Sequence, residues 1–511
     1  MTRNFLCVMK AAVALSMTIS AAVWAQDASN RPQPVYHFAP AANWMNDPNG
    51  LVYYDGEYHL FYQYNPYGDR WGHMSWGHAV SRDLVRWTEL PVAVPETDVM
   101  AFSGSAVVDW HNDSGLGKNG KPPMVAFFTG FNPRTKIQAQ YAAYSNDRGR
   151  TWTRFGDKPI LDIGSTEFRD PKVFWHAKTK SWIMLVVLAV ENKLAIYTSK
   201  DLKQWDKASE FGPAGARGKN WECPDLFELP VEGHPGQTRW VLGINLGDSA
   251  IGGGSGGQYF VGDFDGRRFT PDPTSGTAPL WMDYGADFYA AVSWNDIPAK
   301  DGRRIWIGWA NDWRYANAIP TFPSRGLMSL PRTVSLRQTA AGYRIAQAPV
   351  REVETLRRDP VRVDELLLGE AEVALPVEGG SVELQLDIDA GNADQIVLAL
   401  SDDQGFRTLI GVNPTIKELF VDRTRSGPHF HDAFPERHNA PIKIEAGRFT
   451  LRLLVDQSIV EVYADNGETT ITDRFFPASG KLRWSAYARN GTATIRSLKA
   501  WQLGDAVQVA K

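Results

Sequence analysis

A short acidic motif that returns at near-regular spacing narrows the folds open to this chain more than any other feature. Ser81-Arg82-Asp83-Leu84-Val85-Arg86-Trp87 is echoed by Ser145-Asn146-Asp147-Arg148-Gly149-Arg150-Thr151-Trp152 and by Ser199-Lys200-Asp201-Leu202-Lys203-Gln204-Trp205. The copies lie 64 and 54 residues apart, and Asp263-Phe264-Asp265-Gly266 makes a degenerate fourth. Between them, short apolar runs such as 124–128, 182–190 and 305–309 are broken by Gly, Pro, Asn and Asp, with no sustained helical period. A repeat of this length, holding about four strands, suggests a propeller blade. About 300 residues at this period give roughly five blades. The expected architecture is all-β, with a five-bladed β-propeller over 36–340. The Ser-x-Asp turns themselves read as structural.

After residue 340 the pattern changes. Ala346-Gln347-Ala348-Pro349 and the charged run Arg351-Glu352-Val353-Glu354-Thr355-Leu356-Arg357-Arg358 read as a short helical connector, placed at 341–359. Alternating strands then resume, among them 382–388 and 449–455. Period two with one polar face fits stacked antiparallel sheets, so a β-sandwich is expected over 360–505. The glycine run 252–257 reads as a flexible loop. No Lys-Ser/Thr follows it, which removes a phosphate cradle.

Residues 1–25 carry the marks of a secretory signal peptide: basic Arg3 and Lys10, a mostly apolar stretch, and a cleavage site at Val23-Trp24-Ala25. The stretch is too short and too poorly flanked for a membrane span. Losing Arg3 and Lys10 takes the formal charge from −4 to −6. Losing Cys7 leaves Cys223 alone, so an exported chain has no intramolecular disulfide available. Stability then rests on core size, which 511 residues permit. The acidic balance gives no footprint for nucleic acid. His73 and His78 share a segment but lack carboxylate or thiol company at ligand spacing, so no metal is expected.

Chemistry concentrates in three carboxylates. In Trp44-Met45-Asn46-Asp47-Pro48-Asn49-Gly50, Pro48 drives Asp47 toward extended backbone, and Asn49 and Gly50 tolerate a sharp reversal. Two strands around an Asp55-Gly56 turn should follow. Asp170 lies in Glu167-Phe168-Arg169-Asp170-Pro171, and Glu222 in Trp221-Glu222-Cys223-Pro224-Asp225. Each stands near an aromatic and a proline at a blade start, and such strand ends gather about a propeller axis. Retaining cleavage of a sugar acetal needs an ionised carboxylate nucleophile and a protonated carboxylic acid about 5–5.5 Å apart. Asp47, with Asn46 and Asn49 near, suits the nucleophile. Glu222, beside Trp221 and the Cys223 thiol, suits the acid/base. Asp170 suits contacts to ring hydroxyls that strengthen as the ring flattens. On residue chemistry alone, each is also compatible with a satisfied turn carboxylate.

These motifs, with Gln63-Tyr64-Asn65-Pro66 and Phe102-Ser103-Gly104-Ser105, stand in the order found in glycoside hydrolase family 32, which the chain resembles over nearly its whole mature length. The segment Trp71-Gly72-His73-Met74-Ser75-Trp76-Gly77-His78 is most similar to bacterial levanases and exo-inulinases. The resemblance implies a five-bladed propeller with a C-terminal sandwich, and retaining cleavage of β-fructofuranosides. It implies Asp47 as nucleophile, Glu222 as acid/base and Asp170 as transition-state stabiliser. It also implies Asn46, Gln63, Trp71, Phe102, Ser103, Arg169 and Trp309 as the fructose-binding set. Endo-acting members tend to carry Glu where this chain has Asp47, which favours release of terminal fructose.

The expected activity is therefore exo-hydrolysis of levan or inulin, and of sucrose, without a cofactor, since side chains supply proton transfer and covalent catalysis. Two other readings compete. An inverting arabinan- or xylan-cleaving propeller would hold its carboxylates further apart. A non-catalytic fructan-binding protein would be expected to have lost at least one carboxylate, and all three are present. Fructosyl transfer to a sugar hydroxyl is open to the same covalent intermediate.

Overall fold

The repeated motif is the turn that joins the third strand of a blade to the fourth. Asp83 Oδ1 accepts the backbone N–H of Arg86 at 2.8 Å, Asp147 Oδ1 that of Thr151 at 2.9 Å, and Asp201 Oδ1 that of Gln204 at 2.9 Å. Asp265 does the same for Arg268 in the degenerate copy, at 2.8 Å. Each carboxylate satisfies backbone donors that a tight reversal would otherwise strand.

The computed structural model describes residues 33–478 and 481–504; the expected signal peptide lies outside the described residues. Five sheets, each built on a run of four antiparallel strands, stand in chain order. Their innermost strands are Asn43–Tyr54, Met100–Val108, Phe168–His176, Trp221–Pro230 and Tyr289–Ser293. Each of these packs against the next, and the fifth returns to the first. The ring closes where Ser324–Arg325, from the fifth blade's excursion, pairs parallel with Asn43 and Trp44 of the first. The blades bury separate aromatic and aliphatic layers between their faces.

Two six-stranded antiparallel sheets follow, stacked on a core that includes Leu384, Leu398, Val421, Leu453 and Ile495. The connector is shorter than expected at 341–359. Gly342–Pro349 is the outer strand of the fifth blade, paired with Arg332–Thr339, and only the 3-10 helix Arg351–Leu356 bridges to the sandwich strand that begins at Arg357. Pro349 ends the strand, and its neighbours Ala346 and Ala348 are compatible with either state, so charge pattern alone misplaced the boundary.

The two domains share a buried polar seam. Arg332 of the propeller reaches Asp283 at 2.9 Å and Glu461 of the sandwich at 3.1 Å. Arg423 of the sandwich reaches Asp287 of the propeller at 2.6 Å. Asp456 accepts three successive backbone N–H groups, from Val35, Tyr36 and His37, and so fixes the start of the described chain against the sandwich.

Candidate active site

All five inner strands carry the same irregularity at the same level. Where the second strand of each blade advances two residues, the inner strand advances three: from Met45 to Pro48, Ala101 to Gly104, Arg169 to Lys172, Glu222 to Asp225 and Tyr289 to Val292. One extra residue per strand is a β-bulge, which interrupts the ladder and re-aims a side chain. The bulges hold Asn46 and Asp47, Phe102 and Ser103, Asp170, Cys223 and Ala290. Three of these residues sit at positive φ: Asp170 at 62°, Cys223 at 42° and Ala290 at 54°. The turn expected at Asn49-Gly50 is a second bulge of the first inner strand, between Asn49 and Val52, inside one continuous strand, with Gly50 at φ 54°.

Bulges free backbone groups, and buried ones need partners. Neighbouring blades and strands supply them. Thr129 Oγ1 accepts the Asp170 N–H at 2.9 Å, and Ser105 bridges the Pro171 carbonyl and the Val173 N–H at 2.8 Å each. Asn245 Nδ2 donates to the Cys223 carbonyl at 2.9 Å while its Oδ1 accepts the Ala291 N–H at 3.2 Å.

The result is one pocket of about 510 Å³ at the end of the axis, lined by Asp47, Asp170 and Glu222 together. Asp47 Oδ2 accepts from Ser103 Oγ at 2.7 Å and lies 3.6 Å from Cys223 Sγ; among the described residues its Oδ1 has no hydrogen-bond partner. Asp170 Oδ2 accepts the Cys223 N–H at 2.9 Å and touches the same sulfur at 3.7 Å. Glu222 Oε1 accepts from Arg169 Nε at 3.0 Å, and Oε2 accepts from the Tyr289 hydroxyl. Arg169 is braced in turn by Glu167 at 2.7 Å and Gln138 at 3.3 Å.

Burial, and then the Glu222 charge, push Asp47 above the ordinary carboxylate range, while hydrogen bonds from Ser103 and Asn46 pull it partly back. Burial and Glu222 raise Asp170 as well, against the pull of Arg169. Burial also lifts the Cys223 thiol, which stays neutral between two carboxylates. Buried carboxyls this close hinder one another's ionisation, so Asp47 and Asp170 give up their protons less readily than exposed carboxyls do.

Asn46, Gln63, Trp71, Phe102, Ser103 and Arg169 all line this pocket. The Trp44 indole fixes Asn46 through a 2.7 Å hydrogen bond to Oδ1, and Gln63 donates to the Ala101 carbonyl at 2.9 Å. Trp309 does not line it. It ends the second strand of the fifth blade and is fully buried among Trp44, Tyr289 and Trp313. Trp313, four residues on and outside the strand, presents the indole instead. Sequence reading also missed Phe131, Gln138, Glu167 and Tyr289; Glu167 had a signal in lying two residues before Arg169, and Tyr289 in the conspicuous run Asp283-Tyr284-Gly285-Ala286-Asp287-Phe288-Tyr289-Ala290. The glycine run 252–257 is tightly packed, since a Cβ on Gly254 would lie 2.1 Å from Asp312 Oδ2.

The profile of the glycosyl hydrolases family 32 N-terminal domain matches residues 37–349, and that of the family's C-terminal domain matches 352–502. The chain belongs to glycoside hydrolase family 32. Within this family it is 47% identical over 481 residues to a levanase of Bacillus subtilis, covering 92% of this chain and 70% of the relative. Its fold superposes on the exo-inulinase of Aspergillus awamori with a TM-score of 0.87 at 37% identity, covering 93% and 100% of the two chains. A fructofuranosidase of Schwanniomyces occidentalis, solved with fructose, gives 0.86 at 31%, covering 94% and 99%. The family 32 chain is accordingly an enzyme, a glycoside hydrolase with a propeller and a sandwich.

Proposed function

We propose that the protein is a retaining exo-hydrolase of β-D-fructofuranosides that takes terminal fructose from levan or inulin and also cleaves sucrose. The single observation that carries this reading is the convergence of Asp47, Asp170 and Glu222, from three separate inner strands, on one pocket. Asp47 Oδ1, which has no hydrogen-bond partner among the described residues, attacks the anomeric carbon. Glu222 passes a proton to the departing oxygen and then takes one from water as the fructosyl ester is hydrolysed. Tyr289 and Arg169 hold the two Glu222 oxygens in place for both steps. Asp170 accepts hydrogen bonds from ring hydroxyls as positive charge spreads over the ring. Asn46, Gln63, Ser103, Trp71, Phe102 and Trp313 seat the fructose. The 1–25 segment sends the enzyme out of the cytoplasm, as befits a polymeric substrate; the Aspergillus awamori relative is named as extracellular.

The reading is tested by proton NMR of early hydrolysis. Direct attack by Asp47 releases β-fructofuranose first, with the other anomers appearing only by mutarotation. First release of the α-anomer would replace this mechanism with single displacement. Asp47→Asn or Glu222→Gln should lower kcat by more than about 10³-fold with the fold intact.

A further inference from the structure

On the opposite face of the propeller lies a second, larger cavity of about 1270 Å³, set between the third and fourth blades. Its floor is made by the far ends of the same inner strands that carry the carboxylates: Trp175 lies five residues beyond Asp170, and Phe227 five beyond Glu222. At about 3.3 Å per strand residue, the two sites are separated by roughly 17 Å of packed sheet. The catalytic pocket therefore makes no use of it.

The chemistry of its wall is specific. Two half-buried indoles, Trp175 and Trp240, stand in it, the first held edge-on by Trp182 at 5.1 Å and the second by Phe264 at 5.2 Å. Among the described residues, neither indole nitrogen is taken by a protein acceptor. Four cationic side chains in the wall are matched by four carboxylates, so the cavity carries no net charge. Arg268 and Asp263 are exposed at its edge. A phosphate or a polyanion would meet as many like charges as opposite ones. A neutral chain rich in hydroxyls meets donors and acceptors in equal supply, with rigid aromatic faces for its C–H surfaces.

We infer that this cavity is a second carbohydrate-binding site, one that holds a segment of neutral fructan while chain ends are consumed on the other face. The inference rests on the proposed fructan activity. The two openings face apart, so the cavity anchors a different chain, or a distant stretch of the same one, and raises the local concentration of ends. Sucrose, too small to be tethered, gains nothing from it.

The test compares wild type with Trp175→Ala and with the exposed Arg268→Ala, using levan, inulin and sucrose as the probes. Retardation in native gels containing levan or inulin should weaken by about threefold or more in the variants, and KM for at least one polymer should rise by a similar factor. Sucrose kcat/KM should stay within about twofold of wild type. Retardation and polymer KM unchanged in both variants would overturn the site. Parallel loss on sucrose and polymer in Trp175→Ala would mark damage to the blade, and Arg268→Ala then decides. A wild type that turns over sucrose without retention on either polymer also overturns the site while leaving the fructosidase reading standing. One that releases fructose from none of the three defeats that reading instead.

Discussion

Ser103 sets how readily Asp47 ionises. Its hydroxyl donates to Oδ2 at 2.7 Å and opposes the upward push of burial and of Glu222. A hydrogen bond to a charged group is worth about 1.5–3 kcal/mol. Ser103→Ala should therefore raise the Asp47 pKa further and move the acid limb of kcat/KM to higher pH. An unmoved acid limb would assign that limb to another group. The same crowding of carboxylates opposes folding. Asp47 and Asp170 titrate higher in the folded chain than in the unfolded one, so their charging costs stability as pH rises past the ordinary carboxylate value. Asp170→Asn should then abolish turnover yet raise the melting temperature at neutral pH by about 1–3 °C, as scanning calorimetry would show. At this scale the sequence was informative where motif and role coincide. Asp47, Asp170 and Glu222 sit in rigid Pro-containing segments that announce themselves. Trp309 and Trp313 did not sort correctly, because two indoles four residues apart look alike until one is packed under Trp44.

The bulge is the element on which the site depends. Five times, one surplus residue turns an inner strand so that consecutive side chains meet the axis, and a polar side chain from a neighbouring blade or strand often caps the freed backbone. Asn245 caps two bulges at once. Asn245→Ala should leave buried backbone groups unpaired at about 1–3 kcal/mol each and displace Glu222, lowering both the unfolding midpoint and kcat. Loss of stability with kcat untouched would show that the bulges do not position the acid. Gly104→Ala is expected to act likewise, since its Cβ would lie 2.0 Å from the Phe127 carbonyl oxygen. The blades were legible because the Asp turns recur by sequence distance. The bulges were not, because alternation with period two carries no mark for one added residue. The fifth blade, whose outer turn at Thr339–Gly342 lacks the Ser-x-Asp pattern, was counted only by length.

At the scale of the molecule, the propeller and sandwich are joined by charges that titrate. Burial pulls His438 down, but Asp473 and Glu436 outweigh it and lift the imidazole to about 9. Asp473 also accepts the Ala286 N–H of the propeller at 3.1 Å. Because the folded value is the higher, this stabilisation is complete below about pH 6.5 and is lost as pH rises through about 9. Glu461 is the reverse case: burial raises it, yet Arg332 and His37 bring it to about 2, so its contribution is present above about pH 4.5 and lost toward pH 2. Each is worth on the order of 3 kcal/mol when fully developed. The melting temperature should be highest between about pH 4.5 and 6.5, and His438→Gln should flatten its alkaline fall. An alkaline fall of undiminished slope in that variant would place the titration elsewhere. A two-domain β architecture was readable from periodicity, but this seam was not, since the partners that meet across it, Arg332 with Glu461 and Arg423 with Asp287, lie more than a hundred residues apart and each looks like an ordinary surface charge. The most direct measurement concerns the covalent step itself. Wild-type enzyme saturated with sucrose, quenched in acid during the steady state and digested, should yield the peptide containing Asp47 heavier by one fructosyl group. A fructosyl group on any other peptide, or no adduct although fructose is being released, would contradict direct attack by Asp47.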